Sequence, residues 1–353
     1  MLHRCAVGLL AGMLGLCGPG VEGVGAECVV DGAGGDAPAP FRVHLGAGCS
    51  ESERDARAID ASKLLAALTL GQTIDLSNVV VRGDLILDSM PVSPNPPAIE
   101  GMPDEQRSEI RVVGGDISIV NSLVRGAVTH RSTQGLLLFY GRVTFADTRF
   151  EQPVDLSRSV FTQAVTLSGA VFLRESYFVQ GRFLKDVTGN KTAFGSHTRF
   201  HRSHFHGPVT FQQSGFSGLS EFLEVEFDRD ADFSRTYFKL GTGFSGSQFK
   251  KLADFSEALF DGDAFFTFTR FDGDTFFRRA TFRAAADFDD AQFNAREDFS
   301  KVYFEKGPRF ERAKRSTQSP QALGIENPQI QYLITLSLLL FSAVLIAYLM
   351  RYR

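Results

Sequence analysis

From residue 145 onward the apolar positions of the chain follow one rule: phenylalanine recurs at alternating steps of five and six residues. Residues 252–273, for example, read LADFSEALFDG-DAFFTFTRFDG. Between Phe145 and Phe310 this series has 31 positions, and 28 of them hold Phe; Leu156, Leu167 and Gly189 are the exceptions. Two residues before each position stands Ala, Ser, Thr or Val in 28 of the 31 cases, failing only at Gly181, Glu297 and Pro308. Carried backward in the same phase, the series collects Val112, Ile117, Leu123, Val128 and Phe139, with Gln134 as a misfit. An α-helix does not suit this pattern, because steps of five place successive Phe side chains about 140° apart around its axis. The repeats are also rich in Gly, Thr, Val and Asp-Gly pairs, which are poor helix formers. Short strands joined by turns fit better. Eleven residues are too few to wrap a Phe core, whereas 22 make four sides of five, six, five and six. Residues 22 apart then lie one above another at about 4.8 Å, and four columns of Phe stack inside. The small residues are expected to leave room at the corners.

These units resemble the pentapeptide-repeat family, whose repeat reads A-(D/N)-(L/F)-x-x. Ala253-Asp254-Phe255-Ser256 and Ala231-Asp232-Phe233-Ser234 match it closely, and the extra residue on alternate sides is the departure. The resemblance covers residues 112–310 and extends to 74–87, where Leu76, Val81 and Leu87 repeat the same steps. It implies an all-β solenoid, a right-handed quadrilateral β-helix with about 22 residues per coil over residues 74–310.

The flanking segments read differently. Residues 50–70 form an acidic-starting helix with Ile59, Leu64, Leu65 and Leu68 on one side, suited to cap the first coil within an N-terminal segment spanning 27–73. Residues 88–110 hold Pro91, Pro94, Pro96, Pro97 and Pro103 and form a loop insertion, since proline has no place in a central ladder. From Leu87 to Val112 the register shifts by three relative to one coil.

Both ends carry targeting patterns. His3 and Arg4 precede an apolar run closing on the small residues Val24-Gly25-Ala26, the layout of a secretory signal peptide over residues 1–26, with an uncleaved anchor as the alternative. Residues 332–350 are 19 mostly apolar residues, about 28 Å of helix, enough to span a bilayer core. A transmembrane helix is therefore expected over 330–350, after a linker at 311–329. Arg351 and Arg353 follow it, so the positive-inside rule places the 351–353 tail in the cytoplasm and the repeat domain outside. Export leaves Cys28 and Cys49 as an even pair in an oxidising compartment, where a disulfide is expected, two free thiols being the alternative.

Composition narrows the function. The aromatic content is 34 Phe and 7 Tyr with no Trp, and the net charge of −4 is too small for a nucleic-acid surface or its acidic mimic. His197, His201, His204 and His206 cluster in HTRFHRSHFH, and a zinc site would need two or three of them to converge. The 22-residue grid instead sets His204 and His206 beside Glu226 and Asp228, and His201 beside Val179 and Leu223, which reads as exposed His–carboxylate ladder pairs. Asp261-Gly262-Asp263 and Asp272-Gly273-Asp274 lack the nonapeptide pattern of calcium-binding solenoids. Their columns, Ser217/Lys239/Asp261/Arg283/Glu305 and Lys250/Asp272/Asn294, alternate in charge and satisfy themselves. Gly189 empties a Phe slot beside Asn190-Lys191-Thr192 and reads as a bulge or loop, a binding notch being the alternative. Phe265, Phe268 and Phe276 fall off the inward series and are weak candidates for a partner surface. No convergent nucleophile, base and charge stabiliser is found, so no catalytic, cofactor-binding or metal residue is assigned. The expected role is a non-enzymatic, membrane-anchored envelope scaffold or protein-interaction module, with no cofactor and no nucleic-acid partner. An envelope enzyme or binding protein for polysaccharide is the alternative. A duplex-DNA mimic, known among cytoplasmic pentapeptide-repeat proteins, fits the charge and export signals less well.

Overall fold

The computed structural model describes residues 28, 30–31, 40–96, 109–130 and 135–315. The chain winds as a β-solenoid of about ten turns with about 22 residues per turn. Each full turn adds one short strand to each of four sheets, here called first to fourth in the order the chain visits them. Coils pair in parallel, and from Leu137 onward partners are 22 residues apart, as in Val143↔Val165 and Ala253↔Thr275. Strand N–H groups thus find carbonyls in the next coil or the previous one; Phe233 N–H donates to the Asp254 carbonyl at 2.7 Å, for example.

The five–six alternation has a backbone cause. After the first and third sheets the corner contains a residue in the left-handed region: Arg235, Glu257, Arg279 and Lys301 on one side, and Phe268, Asp290 and Arg312 on the other. The turn is closed by an N–H three residues on, as from Ala258 to the Phe255 carbonyl at 3.1 Å. This tight corner spans the five-residue steps; the six-residue steps turn without it. Most of these left-handed residues carry side chains, at a cost of about 1–2 kcal/mol each relative to ordinary backbone.

Inside, the Phe columns stack as expected. Phe233, Phe255, Phe277 and Phe299 follow one another with ring centroids 5.2, 4.9 and 4.9 Å apart and nearly parallel planes. Rings of neighbouring columns meet edge to face, as Phe255 meets Phe244 and Phe266 at 5.2 and 5.4 Å. The small residues do not sit at the corners. Ala231, Ala253 and Thr275 lie within the strands of the first sheet and point inward beside the Phe columns, fully buried. Their size keeps the four sheets close enough for the rings to touch.

At the N-terminal end the pairing starts earlier than residue 74. Strand β1 (Val30–Asp31) pairs antiparallel with β2 (Phe41–Leu45), which pairs in parallel with Ile74–Ser77 of the first sheet. The segment at 50–70 is not one helix. It holds α1 (Glu51–Ala56) with a Ser50–Glu53 capping box, then Ile59–Asp60 as a strand paired with Val81-Arg82, then α2 (Ala61–Thr69). Leu64 and Leu68 of α2 are buried over the first coils, so α2 performs the capping. Ile59, placed on the helix by its spacing, belongs to the sheet.

The early phase also differs from the sequence expectation. Val112 pairs with Leu138 and Ile117 with Val143, 26 residues on rather than 22. Four extra residues therefore precede Phe139, and the inward positions are Val113, Ile119, Val124 and His130. Ile117 and Val128 still point inward, at the small-residue position, whereas Val112 and Leu123 lie outside it. The expected shift of three across the Pro-rich insertion does not hold: Leu76 pairs with Ile119, 43 residues on, so the insertion adds 21 residues to one coil, and the chain leaves the third sheet at Leu87 to find its next inward position at Val113 of the fourth. Aliphatic side chains fill this cross-section less completely than Phe. An apolar cavity of about 30 Å³ remains between Leu64, Leu85, Val124, Phe139 and Leu156.

At the other end, bridges from Arg309 and Lys314 carry the pairing past Phe310. Arg315 lies 4.7 Å from the Phe310 ring centroid and 3.4 Å from the carboxylate of inward-facing Glu297, covering part of the last coil. Among the described residues no helix is long and apolar enough to cross a membrane. The expected leader at 1–26 and span at 330–350 lie outside the described residues.

Candidate functional site

Among the described residues, the fourth sheet brings together a group of histidines and carboxylates whose side-chain donor atoms converge. Its strand His204–Phe205 buries Phe205 completely, which turns His204 and His206 outward on either side. The next coil places Glu226 and Asp228 directly below them. His206 Nδ1 lies 2.9 Å from Asp228 Oδ2, the ladder pair the sequence implies. His204 departs from it: its Nε2 is 3.7 Å from Glu226 but 2.9 Å from the same Asp228 Oδ2. Two imidazoles thus converge on one oxygen, with ring centroids 3.7 Å apart. The coil below adds Lys250, whose Nζ is 2.8 Å from Asp228 Oδ1 and 3.2 Å from Glu226. Burial alone would raise the Asp228 carboxyl, but Lys250 and the nearby His204 hold it down at about 2. Partial burial, and then the neighbouring His204, push His206 below its ordinary value.

The other two histidines stand apart. His197 lies on the third sheet, 3.2 Å from Glu221 and edge-on to Tyr177. His201 sits at the corner between them and does not join the group. A fifth histidine was hidden from the periodicity: His130 takes an inward position, fully buried. Its Nδ1 lies 3.0 Å from the Ser157 carbonyl and its Nε2 3.7 Å from Asp88. The four-residue insertion after it displaced the phase and pointed to Gln134 instead.

The Asp-Gly-Asp turns are engaged by donors of the chain itself. Asp261 accepts from Tyr237 Oη at 2.6 Å and Arg283 at 2.8 Å. The Tyr237 hydrogen bond, then Arg283 and Lys239, keep its carboxyl below the ordinary value. Asp272 accepts from Gln248, Arg270 and Asn294. We expect Asp261→Lys to lose on the order of 1 kcal/mol, diminishing with salt, since it sets three cations in one column. A thermal melt with and without calcium checks this. A calcium-dependent gain in the wild type that disappears in the variant would make the turn a metal site.

Gly189 is neither a bulge nor a notch. Register continues through it, and the Phe211 ring from the next coil leans into the vacated slot, 2.6 Å from where a Cβ would stand. Phe211 accordingly tilts 32° from Phe233 below it. Of the off-series aromatics, Phe276 packs with Arg278 and Arg296 at 4.1 and 5.7 Å, while Phe265 and Phe268 are exposed, at 40% and 66%. Phe268 also occupies a left-handed corner, where a bulky residue is strained. No family model matches the chain, and no curated protein or solved structure matches it either.

Proposed function

We propose that this chain is a membrane-anchored scaffold of the cell envelope. It presents a rigid β-helix of the pentapeptide-repeat type, right-handed as in that family, outside the cytoplasm, where it binds a protein partner without catalysing a reaction. The observation that carries the reading is the exposed aromatic pair on and beside the third sheet. Phe265 and Phe268 stand beside a corner column whose charges otherwise answer each other, as in Arg202–Glu224 and Arg312–Asp290. The same corner column holds the charged Arg202, Glu224, Asp290 and Arg312, so Phe268 sets an exposed ring where those coils set a charge. The leader-like residues 1–26, the bonded Cys28–Cys49 pair and the apolar run at 332–350 support export and anchoring.

The test replaces Phe268 of the full chain with a photoreactive phenylalanine in native membranes. A discrete protein adduct is expected, lost when Phe265→Ser is added and not produced from Thr188 on the first sheet. Phe268→Asn is expected to leave the fold equally stable or up to about 1 kcal/mol more stable while abolishing partner binding. The same adducts from Thr188, or none from residue 268, would remove the third sheet as the contact face.

A further inference from the structure

We propose that His204, His206 and Asp228 form a binding site for a divalent first-row transition metal ion of the zinc kind. This site is separate from the partner surface and does not depend on it. Its donor atoms already converge: one ring nitrogen each from His204 and His206 and an Asp228 carboxylate oxygen all lie within 4.8 Å of one another. Zinc holds imidazole nitrogen at about 2.0–2.1 Å and carboxylate oxygen at about 2.0–2.2 Å, so ligands around a tetrahedral ion stand about 3.3 Å apart. The present separations of 2.9 Å from each nitrogen to Asp228 Oδ2 need to widen by only a few tenths of an ångström.

The scaffold fixes this arrangement. His204 pairs with Glu226 across the ladder, and the Asp228 N–H donates to the Phe205 carbonyl at 2.9 Å, with the intervening Phe205 and Phe227 buried and stacked. Side chains spaced by the pleat and by the coil rise therefore have few rotamers to search. A second observation separates the group from an ordinary ladder pair. Two imidazole nitrogens stand 2.9 Å from one and the same oxygen, Asp228 Oδ2, whereas His197 shares its Glu221 with Arg199 rather than with a second imidazole. A metal ion between these atoms gives His204 Nε2 and Asp228 Oδ2 a common partner.

The donor set selects the ion. Two imidazoles with one carboxylate suit zinc, nickel, cobalt or copper and do not suit calcium or magnesium, which take oxygen ligands. Glu226, 3.7 Å from His204 Nε2, stands near enough to become a fourth ligand; otherwise that position opens to water or to a donor from another molecule. Lys250 is the opposing term. Its ammonium holds Asp228 Oδ1 and leaves Oδ2 to the imidazoles, so it neutralises the carboxylate that a metal ion would use. Removing that cation strengthens metal binding and does nothing to help a plain salt-bridge ladder.

The full chain in detergent micelles is titrated calorimetrically with zinc alone, and its melting is followed with and without the ion. One saturable site per chain is expected. His204→Gln, His206→Gln and Asp228→Asn should each weaken it at least tenfold, Lys250→Met should tighten it severalfold, and His197→Gln and His201→Gln should leave it unchanged. Melting of each variant without zinc reports whether it is folded, and the gain in Lys250→Met does not depend on a variant that loses function. The absence of saturable zinc binding would overturn the assignment, as would binding that survives His206→Gln or weakens in Lys250→Met. Calcium saturating the site at a comparable concentration would overturn the choice of ion.

Discussion

Phe255→Asp is expected to abolish cooperative folding of the coils around it. Phe255 is fully buried, stacked between Phe233 and Phe277 and met edge-on by Phe244 and Phe266. The substitution removes these contacts and those with Phe249 and Phe260, and sets a carboxylate among rings and small buried side chains, a combination costing more than about 4 kcal/mol. Phe255→Leu keeps the site apolar and should cost about 1–2 kcal/mol by leaving a small void. Leu240→Asp, at a position 46% exposed, should cost under about 1 kcal/mol. Chemical denaturation followed by circular dichroism separates the three. Equal midpoints for Phe255→Asp and Leu240→Asp would show that the inward assignment is wrong.

Cys49→Ser is the second large effect, and a local one. Cys28 and Cys49 are bonded across a sequence separation of 21 residues, which holds β1 against β2 and leads directly into the capping box at Ser50. Opening a loop of that length costs about 3 kcal/mol through the freedom it returns to the unfolded chain. Each coil of a solenoid touches only its neighbours, so the loss falls on the N-terminal end. Hydrogen exchange should show β2, α1 and α2 opening early while the Phe-rich coils from Phe145 onward keep wild-type protection. Reductant should reproduce this in the wild type. Uniform loss of protection along the whole chain would contradict the nearest-neighbour picture.

How far the fold was legible follows from where Phe is dense. From Phe139 onward all but three positions of the inward series, Leu156, Leu167 and Gly189, carry a ring, and two coupled periodicities fix the number of sides, the coil length and the direction of each side chain. Upstream, Val, Ile and Leu occur at both inward and outward positions, so Val112 and Val113 compete for one slot. The insertion before Phe139 then shifted the choice by a residue or more. Ile59 was read into a helix because residues 50–70 have helical spacing overall, and pairing with Val81 overrode it. Gly189 concealed its partner because filling an empty slot depends on the lean of a ring 22 residues away, which no spacing encodes. At the histidine group the grid placed His206 over Asp228 correctly. Rotamers, which periodicity does not determine, carried His204 away from Glu226 and brought Lys250 up from the coil below.

The central claim is that the solenoid stands outside the cytoplasm on a single anchor. Reporter fusions after Phe310 and after Arg353, scored with one enzyme active only outside the cytoplasm and another active only inside, test it most directly. The account expects the Phe310 fusion to be active outside and the Arg353 fusion inside, in the same cells and at similar expression. Both fusions reporting the same side would contradict it.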